Sequence, residues 1–355
     1  MNAPVSSTHQ VSAVDLSDER MAARIEAFVR EQRASLFHRP TWLKAVEEGT
    51  GQRAAGFISE QMGVLTGWLP LTEVRSFLFG KALVSSGFGV GGGLCTASEG
   101  AGTALARAAQ DHAQAKGFAS IELRGGTLPE GEGWRQWDDR HCGFERPLEI
   151  DDEAQLLAIP RKARAEVRKG LKSGLAVRVG STNADLAAHY TVYAESVRNL
   201  GTPVFPAQLF RAMLAAFQGQ SDILTVFDGT KPVASVLSFY HDGAVMPFWG
   251  GGTHAARGNR ANELMYYELM LHARKAGMKR FDFGRSKTGS GPYSFKKNWG
   301  FEPQPLRYAE WTAPGREPRD VDPTSEAYAK KIARWKRLPL PVANTIGPFI
   351  ARGLA

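Results

Sequence analysis

Between Lys279 and Pro303 the chain reads KRFDFGRSKTGSGPYSFKKNWGFEP, a stretch that gathers cations where an anionic substrate could meet them. Phe281 and Phe283 alternate with Asp282 as on a short strand, and Gly284 ends it. Arg285, Ser286 and Lys287 follow where the chain leaves the sheet, and TGSGP is too rich in glycine and serine for regular structure. Tyr293 to Trp299 fits two helical turns stopped by Gly300. Arg285 and Lys287 therefore stand on a hinge, and Lys296 and Lys297 on a short helix. Such a mobile basic loop at a strand end can bind and react an acylated anion. The bland alternative is a solvated loop with basic decoration.

Were such a loop to pass its substrate's acyl group to an amine, the reaction would need a neutral nucleophile and a stabilised oxyanion. No Ser-His-Asp or Cys-His arrangement presents itself, and His241, His254 and His272 have unremarkable neighbours. Direct attack without a covalent enzyme intermediate is the simpler scheme. Arg285 and Lys287 suit anion binding, and Asp282 can orient the amine unless it is merely a capped structural carboxylate. Trp249, Tyr266 and Tyr293 can line an acceptor groove, with core packing as the default for aromatics. Four residues separate Phe295 from Trp299, so the two bury together. Lys296, about 100° round the helix, is expected to flank the cleft and stay out of the core.

A second concentration of charge opens at Pro160, in PRKARAEVRKGLKSGL. On a helix Arg161, Arg164, Arg168 and Lys172 share a face flanked by Lys162 and Lys169, while Ala163, Val167 and Leu171 point inward. Forked guanidinium groups in that arrangement suit phosphate recognition. A solvated face is the ordinary reading of a charge run, but only Glu166 offsets this one.

The 355 residues carry a formal net charge of +8. That excess favours a polyanionic partner such as tRNA, a nucleotide-linked sugar or an anionic membrane surface. The length suits two domains. Cys95 and Cys142 lie in unrelated contexts without metal-ligand spacing, so neither a disulfide framework nor a metal is expected. The first residues lack the basic start and apolar core of a secretory signal. No window approaches the roughly twenty apolar residues that span a bilayer. A cytoplasmic location is expected, with peripheral contact at the inner membrane left open by the tail.

The motifs also repeat. AQAKGFASIELRGG from Ala113 parallels ARKAGMKRFDFGRS from Ala273, with Gly117 and Gly277 in register, and GVGGGLCT parallels FWGGGTHA at nearly the same offset. So long a period means duplicated domains. Each copy reads as glycine-rich turn, helix, glycine stop and strand, an α/β or α+β layering. Copy one has Arg124-Gly125-Gly126 where copy two has GRSK, and nothing like FKKNWGF follows. Its GFGVGGG run lacks the lysine and hydroxyl of a P-loop, so a structural or acceptor-lining role is expected. The tail from Leu340 to Leu354 is apolar, with packing favoured over a partner or a membrane surface.

FDFGRSK…GSGPYSFKKNWGFEP, with PFWGGGTHAARGNRANELMYYELMLHARKAG before it, closely resembles the signature of the FemAB-type aminoacyltransferases. More narrowly it is similar to the FemAB-like proteins of exosortase and exopolysaccharide loci. The resemblance implies two tandem GNAT-like acyltransferase domains with mixed sheets flanked by helices, plus a C-terminal helical extension. The expected division is a disordered 1–19, a degenerate copy at 20–148, an active copy at 149–314 and the extension at 315–355. It implies a cationic role for Lys296 at the acyl or phosphate group, and precursor or tRNA phosphates on the basic helix. It also places the donor's pyrophosphate turn at Ala256 to Asn262, where the usual Gly-x-Gly spacing is only loosely met. The implied activity is transfer of an aminoacyl or acyl group to an amine of a cell-envelope or polysaccharide-related precursor that bears phosphate. Aminoacyl-tRNA or acyl-CoA would serve as donor co-substrate, with no cofactor held permanently. An acyl-CoA-dependent N-acyltransferase and a non-catalytic RNA- or precursor-binding module stay open beside it.

Overall fold

The structure is a computed structural model that describes residues 9–129, 131, 133–317, 319 and 326–354, with backbone alone for 326–329. The chain forms two units. The first holds the described residues of Met1–Asp138, Leu306–Val321 and Arg352–Ala355, and the second those of Asp139–Pro305 and Asp322–Ala351.

In the first unit Arg53–Gln61, Val64–Ser76 and Gly80–Val84 run as an antiparallel meander. The helix Ala101–Lys116 then returns the chain, and Ser120–Arg124 pairs parallel to Gly80–Val84. The helix closes at Gly117, whose φ of 69° a residue with a Cβ adopts only at a cost. Leu105, Ala109 and Ala113 carry it onto Leu69, Leu83 and Ile121 in one buried cluster.

The second unit repeats this order. Ala176–Gly180, Ser221–Asp228, Lys231–His241 and Ala244–Gly252 form an antiparallel meander. The helix Ala261–Lys275 follows, and Arg280–Asp282 pairs parallel to Ala244–Gly252. The copies close their helices alike: Phe118 N–H donates to Ala113 O at 2.8 Å, and Met278 N–H donates to Ala273 O at 3.0 Å. Those four positions keep the sequence period of 160, so the duplication read from the letters is a duplication of structure.

Three boundaries differ from expectation. Tyr308–Thr312, assigned by sequence to the second copy, joins the first unit's sheet between Ser120–Arg124 and Trp134–Trp137. Glu145–Pro147, assigned to the first copy, pairs with Arg280–Asp282 in the second. Each sheet completes its edge with a strand from beyond the expected border, because an open edge beside a parallel strand is a row of unpaired N–H and C=O groups. The tail is no separate extension either. Leu340–Ala351 buries Ala343, Gly347 and Ala351, and Gly347 lies against Val204 of the second unit.

The N-terminus differs too. Gln10–Ala13 is a strand paired with Phe57 to Glu60, and Glu19–Glu31 is a helix capped by Asp18. The expectation of disorder over 1–19 fails for those residues; residues 1–8 lie outside the described residues, as do 318 and 320–325 of the expected extension. The glycine run of the first copy is structural. Gly93 donates to Arg124 O at 2.9 Å, and a Cβ there would run into the Gly125 carbonyl.

Candidate functional site

The site is built where two strands part. Ala244–Gly252 and Arg280–Asp282 pair only at Ala244 with Arg280 and Val245 with Phe281. Beyond that point the longer strand runs on to Gly252, with a register shift between Leu237 and Ser238 on its other side. Phe248 is the extra residue of this bulge, and Pro247 beside it has no N–H to give. The shorter strand turns away at Gly284, which holds φ 70°. Ser286–Lys287 then pairs with His141–Gly143 in a small sheet that Gln304–Pro305 completes. The helix Gly291–Asn298 follows. Pro292 opens it, and Ser290 Oγ accepts from Tyr293 N–H at 3.3 Å.

Lys296 does not flank the cleft as expected: it is 8% exposed. Its ammonium donates to Gly284 O at 3.0 Å and Arg285 O at 3.1 Å, and lies 5.3 Å from the ring centres of both Phe144 and Phe283. The helical angle was read correctly, but the side chain is long enough to fold back over the hinge the helix closes. Burial pushes the ammonium down to about 8; Asp282 opposes that shift and Arg285 adds to it. Two of its three N–H donors are thus occupied.

Asp282 Oδ1 accepts from Gly284 N–H at 2.9 Å. Burial raises the Asp282 carboxyl above the usual range, and Glu145 directly across the strand pair adds to this, against Gly284, Lys296 and Arg280. Ser286 is buried, and its hydroxyl finds no partner among the described residues. Arg285 and Lys287 are half-buried on either side of it. Tyr293 meets Phe144 edge-on at 5.5 Å, with the Lys297 ammonium 5.8 Å from its ring. Tyr266 packs on Phe283 at 4.7 Å, Phe295 at 5.9 Å and Trp299 at 6.2 Å, and burial pushes its phenol up to about 12. The hinge, Asp282, Tyr266, Tyr293 and Lys296 therefore form one cluster. Trp249 does not join it. It is buried among Phe205, Phe210, Phe239 and Phe248 in the aromatic core, so the groove role expected for it is corrected to packing.

The basic helix, Arg161–Leu171, connects this cluster to the start of Ala261–Lys275. At one end Pro160 packs on Gly300, and Arg146 donates to Ala158 O at 3.2 Å and Trp299 O at 3.4 Å. At the other, a Cβ on Gly170 would stand 3.0 Å from Arg260 O, and Glu166 pairs with Arg260 and Lys169. Ala163 and Val167 face inward as expected, but Leu171 is exposed and Gly170 takes the inward place. Glycine permits the close approach to the neighbouring helix that leucine would prevent. Arg161, Lys162 and Arg168 are exposed, and Arg164 is half-buried and donates to Leu157 O at 3.2 Å.

At the helix start, Asn262 packs on Gly252, and its buried Oδ1 has no hydrogen-bond partner among the described residues. Arg260 holds φ 60° and folds back on Glu166 and the Arg257 carbonyl. Sequence reasoning missed Glu263, whose half-buried carboxyl is raised by burial, with Glu166 adding to the rise and Arg260 opposing it. A glutamate in a first helical turn reads as a partner of the helix dipole, so nothing in the letters marked it. It missed Glu145 for another reason: its pairing with Asp282 is long-range.

A family model described as Acetyltransferase (GNAT) domain matches residues 160–297. Solved structures match over most of the chain. FemX covers 84% of this chain and 96% of its own, at 14% identity and TM-score 0.62. A tandem GNAT protein from the clavulanic acid biosynthesis pathway covers 86% and 98%, at 13% identity and TM-score 0.57. L-PGS from Bacillus licheniformis covers 94% and 96%, at 15% identity and TM-score 0.53. The fold is a tandem GNAT fold. It has two mixed sheets flanked by helices, and the stretch that the GNAT model matches contains the parted strands, the basic helix and Lys296. No curated protein sequence matches the chain.

Proposed function

We propose that the second unit transfers an aminoacyl or acyl group from a phosphate-bearing donor to an amine. The observation that carries this reading is the buried Lys296 ammonium, held by two carbonyls at the hinge where the strands part. The basic helix leads from that hinge to the N-terminus of a fifteen-residue helix. In the proposed step the amine nitrogen attacks the donor's carbonyl carbon and a C–N bond forms. The ester or thioester bond to the donor breaks, and its oxygen or sulfur leaves with a proton. Lys296 stabilises the oxyanion with its remaining donor, and Ser286 offers its hydroxyl. The second oxygen of Asp282, a carboxyl whose proton affinity burial has raised, receives the proton the amine loses and returns it to the departing oxygen or sulfur.

Aminoacyl-tRNA is the donor we favour, and a phosphate-bearing envelope or polysaccharide precursor the acceptor. The basic helix offers more cationic surface than a coenzyme A diphosphate requires. The start of Ala261–Lys275 also departs from a pyrophosphate turn, since Arg260 and not glycine holds the left-handed position and its guanidinium is engaged internally. An acyl-CoA donor on the same fold is the second reading, favoured by the likeness of residues 160–297 to an acetyltransferase domain.

Two binding measurements separate the donors. Aminoacyl-tRNA bound with steep salt dependence, and acyl-CoA giving no thermal stabilisation, is the expected pattern. Stabilisation by acyl-CoA alone reverses the assignment. Binding of neither, with no labelled amide formed from either donor, removes the transferase reading.

A further inference from the structure

We propose that the two C-terminal helices of the second unit are a docking surface for an anionic lipid bilayer. The argument starts from an inverted pattern. Leu340–Ala351 turns its small residues, Ala343, Gly347 and Ala351, into the protein. Its large ones point out: Val342 is 44% exposed, Ile346 40% and Phe349 68%. Positions 342, 346 and 349 fall within about 60° of one another around a helix, so the three make one apolar face. A helix present only to complete a core would place its leucine-sized groups inward. At the same junction Gly201 and Val204 pack on Ile332 and Gly347, and the neighbouring Leu200 is 62% exposed.

Charge identifies the occupant. The helix Glu326–Trp335 and the turn after it carry five lysines and arginines, Lys330, Lys331, Arg334, Lys336 and Arg337, against Glu326 alone. Lys330, Arg334, Lys336 and Arg337 are exposed on and just after the helix Glu326–Trp335, which leads into the apolar one. A protein partner for so small an apolar face would not require so cationic a border, and a soluble polyanion would not require the apolar groups. An interface of anionic headgroups over acyl chains uses both, and neither signal suffices alone. No helix among the described residues is long and apolar enough to cross a membrane, so the contact is peripheral. This inference does not rest on the transferase reading, because no residue of the parted-strand cluster takes part.

The test is sedimentation of the full chain with sucrose-loaded vesicles of phosphatidylcholine alone or mixed with phosphatidylglycerol. Partitioning onto the mixed vesicles is expected, weakened by salt and at least about tenfold poorer on phosphatidylcholine. Combined Val342→Ser, Ile346→Ser and Phe349→Ser should lower it by a further order of magnitude or so. Lys330→Gln with Lys336→Gln should cost roughly fivefold per charge. Both variants alter exposed side chains, and an unchanged melting temperature verifies folding. Equal sedimentation with and without anionic lipid overturns the proposal. So does loss on removing the charges but not the apolar groups, which means a soluble polyanion. A dimer in sedimentation velocity that the Ile346→Ser variant abolishes also overturns it, since a second copy then covers the face.

Discussion

Lys296→Met isolates a quantity that the geometry fixes in sign. In the folded chain burial pushes this ammonium down to about 8, whereas an unfolded lysine titrates near about 10.4. Below the folded value both states hold the proton, and folding carries the full cost of the buried charge. Between the two values the unfolded chain binds more protons, so stability rises with pH. At about 1.4 kcal/mol per unit, the rise attributable to Lys296 is roughly 2 kcal/mol between about pH 7.5 and 9.5. Methionine removes the charge but leaves the Gly284 and Arg285 carbonyls without their donor, at about 1–3 kcal/mol each. The net change at neutral pH is therefore a difference of comparable terms, and melting there is a poor test. The slope is a good one. Urea denaturation of both proteins across that range should show the variant losing the alkaline rise, while the titrating groups that Lys296 does not touch cancel between them. A variant that keeps the full rise would refute the buried, charged lysine. If the ammonium also stabilises the transition state, turnover of the natural protein should fall as pH climbs through about 8, and Lys296→Met should lose on the order of hundredfold to thousandfold.

Changing Arg161, Arg164 and Arg168 together to Gln should weaken binding of aminoacyl-tRNA or of a precursor diphosphate and flatten its salt dependence, with folding retained because two of the three are exposed. Unchanged affinity for both ligands would reduce the helix to a solvated face. The exchanged edge strands make a prediction about fragments. Residues 149–314 expressed alone lack Glu145–Pro147 and the tail helices, and should show no cooperative melt, whereas 139–351 should show one. Equal cooperativity in the two would mean that the edge strand contributes nothing.

What the letters made legible was local. The helix stops at Gly117 and Gly277, the Phe281–Phe283 face and the inward Ala163 and Val167 all follow from spacing within a turn or two of the chain. What they hid was pairing at a distance. Nothing near Tyr308 says that it lies beside Arg124, and nothing near Glu145 says that it faces Asp282. Those two pairings moved the domain borders, and the second also shapes the site, because it sets a second carboxylate against the first and raises its proton affinity. Lys296 combines both cases. Its angle on the helix was readable, yet its burial depends on the hinge carbonyls and on Phe144, 152 positions earlier, which arrives with the strand that crossed the expected border. The exchanged strand thus shapes the site as well as the architecture: Phe144 lies against the Lys296 ammonium, and Glu145 faces Asp282.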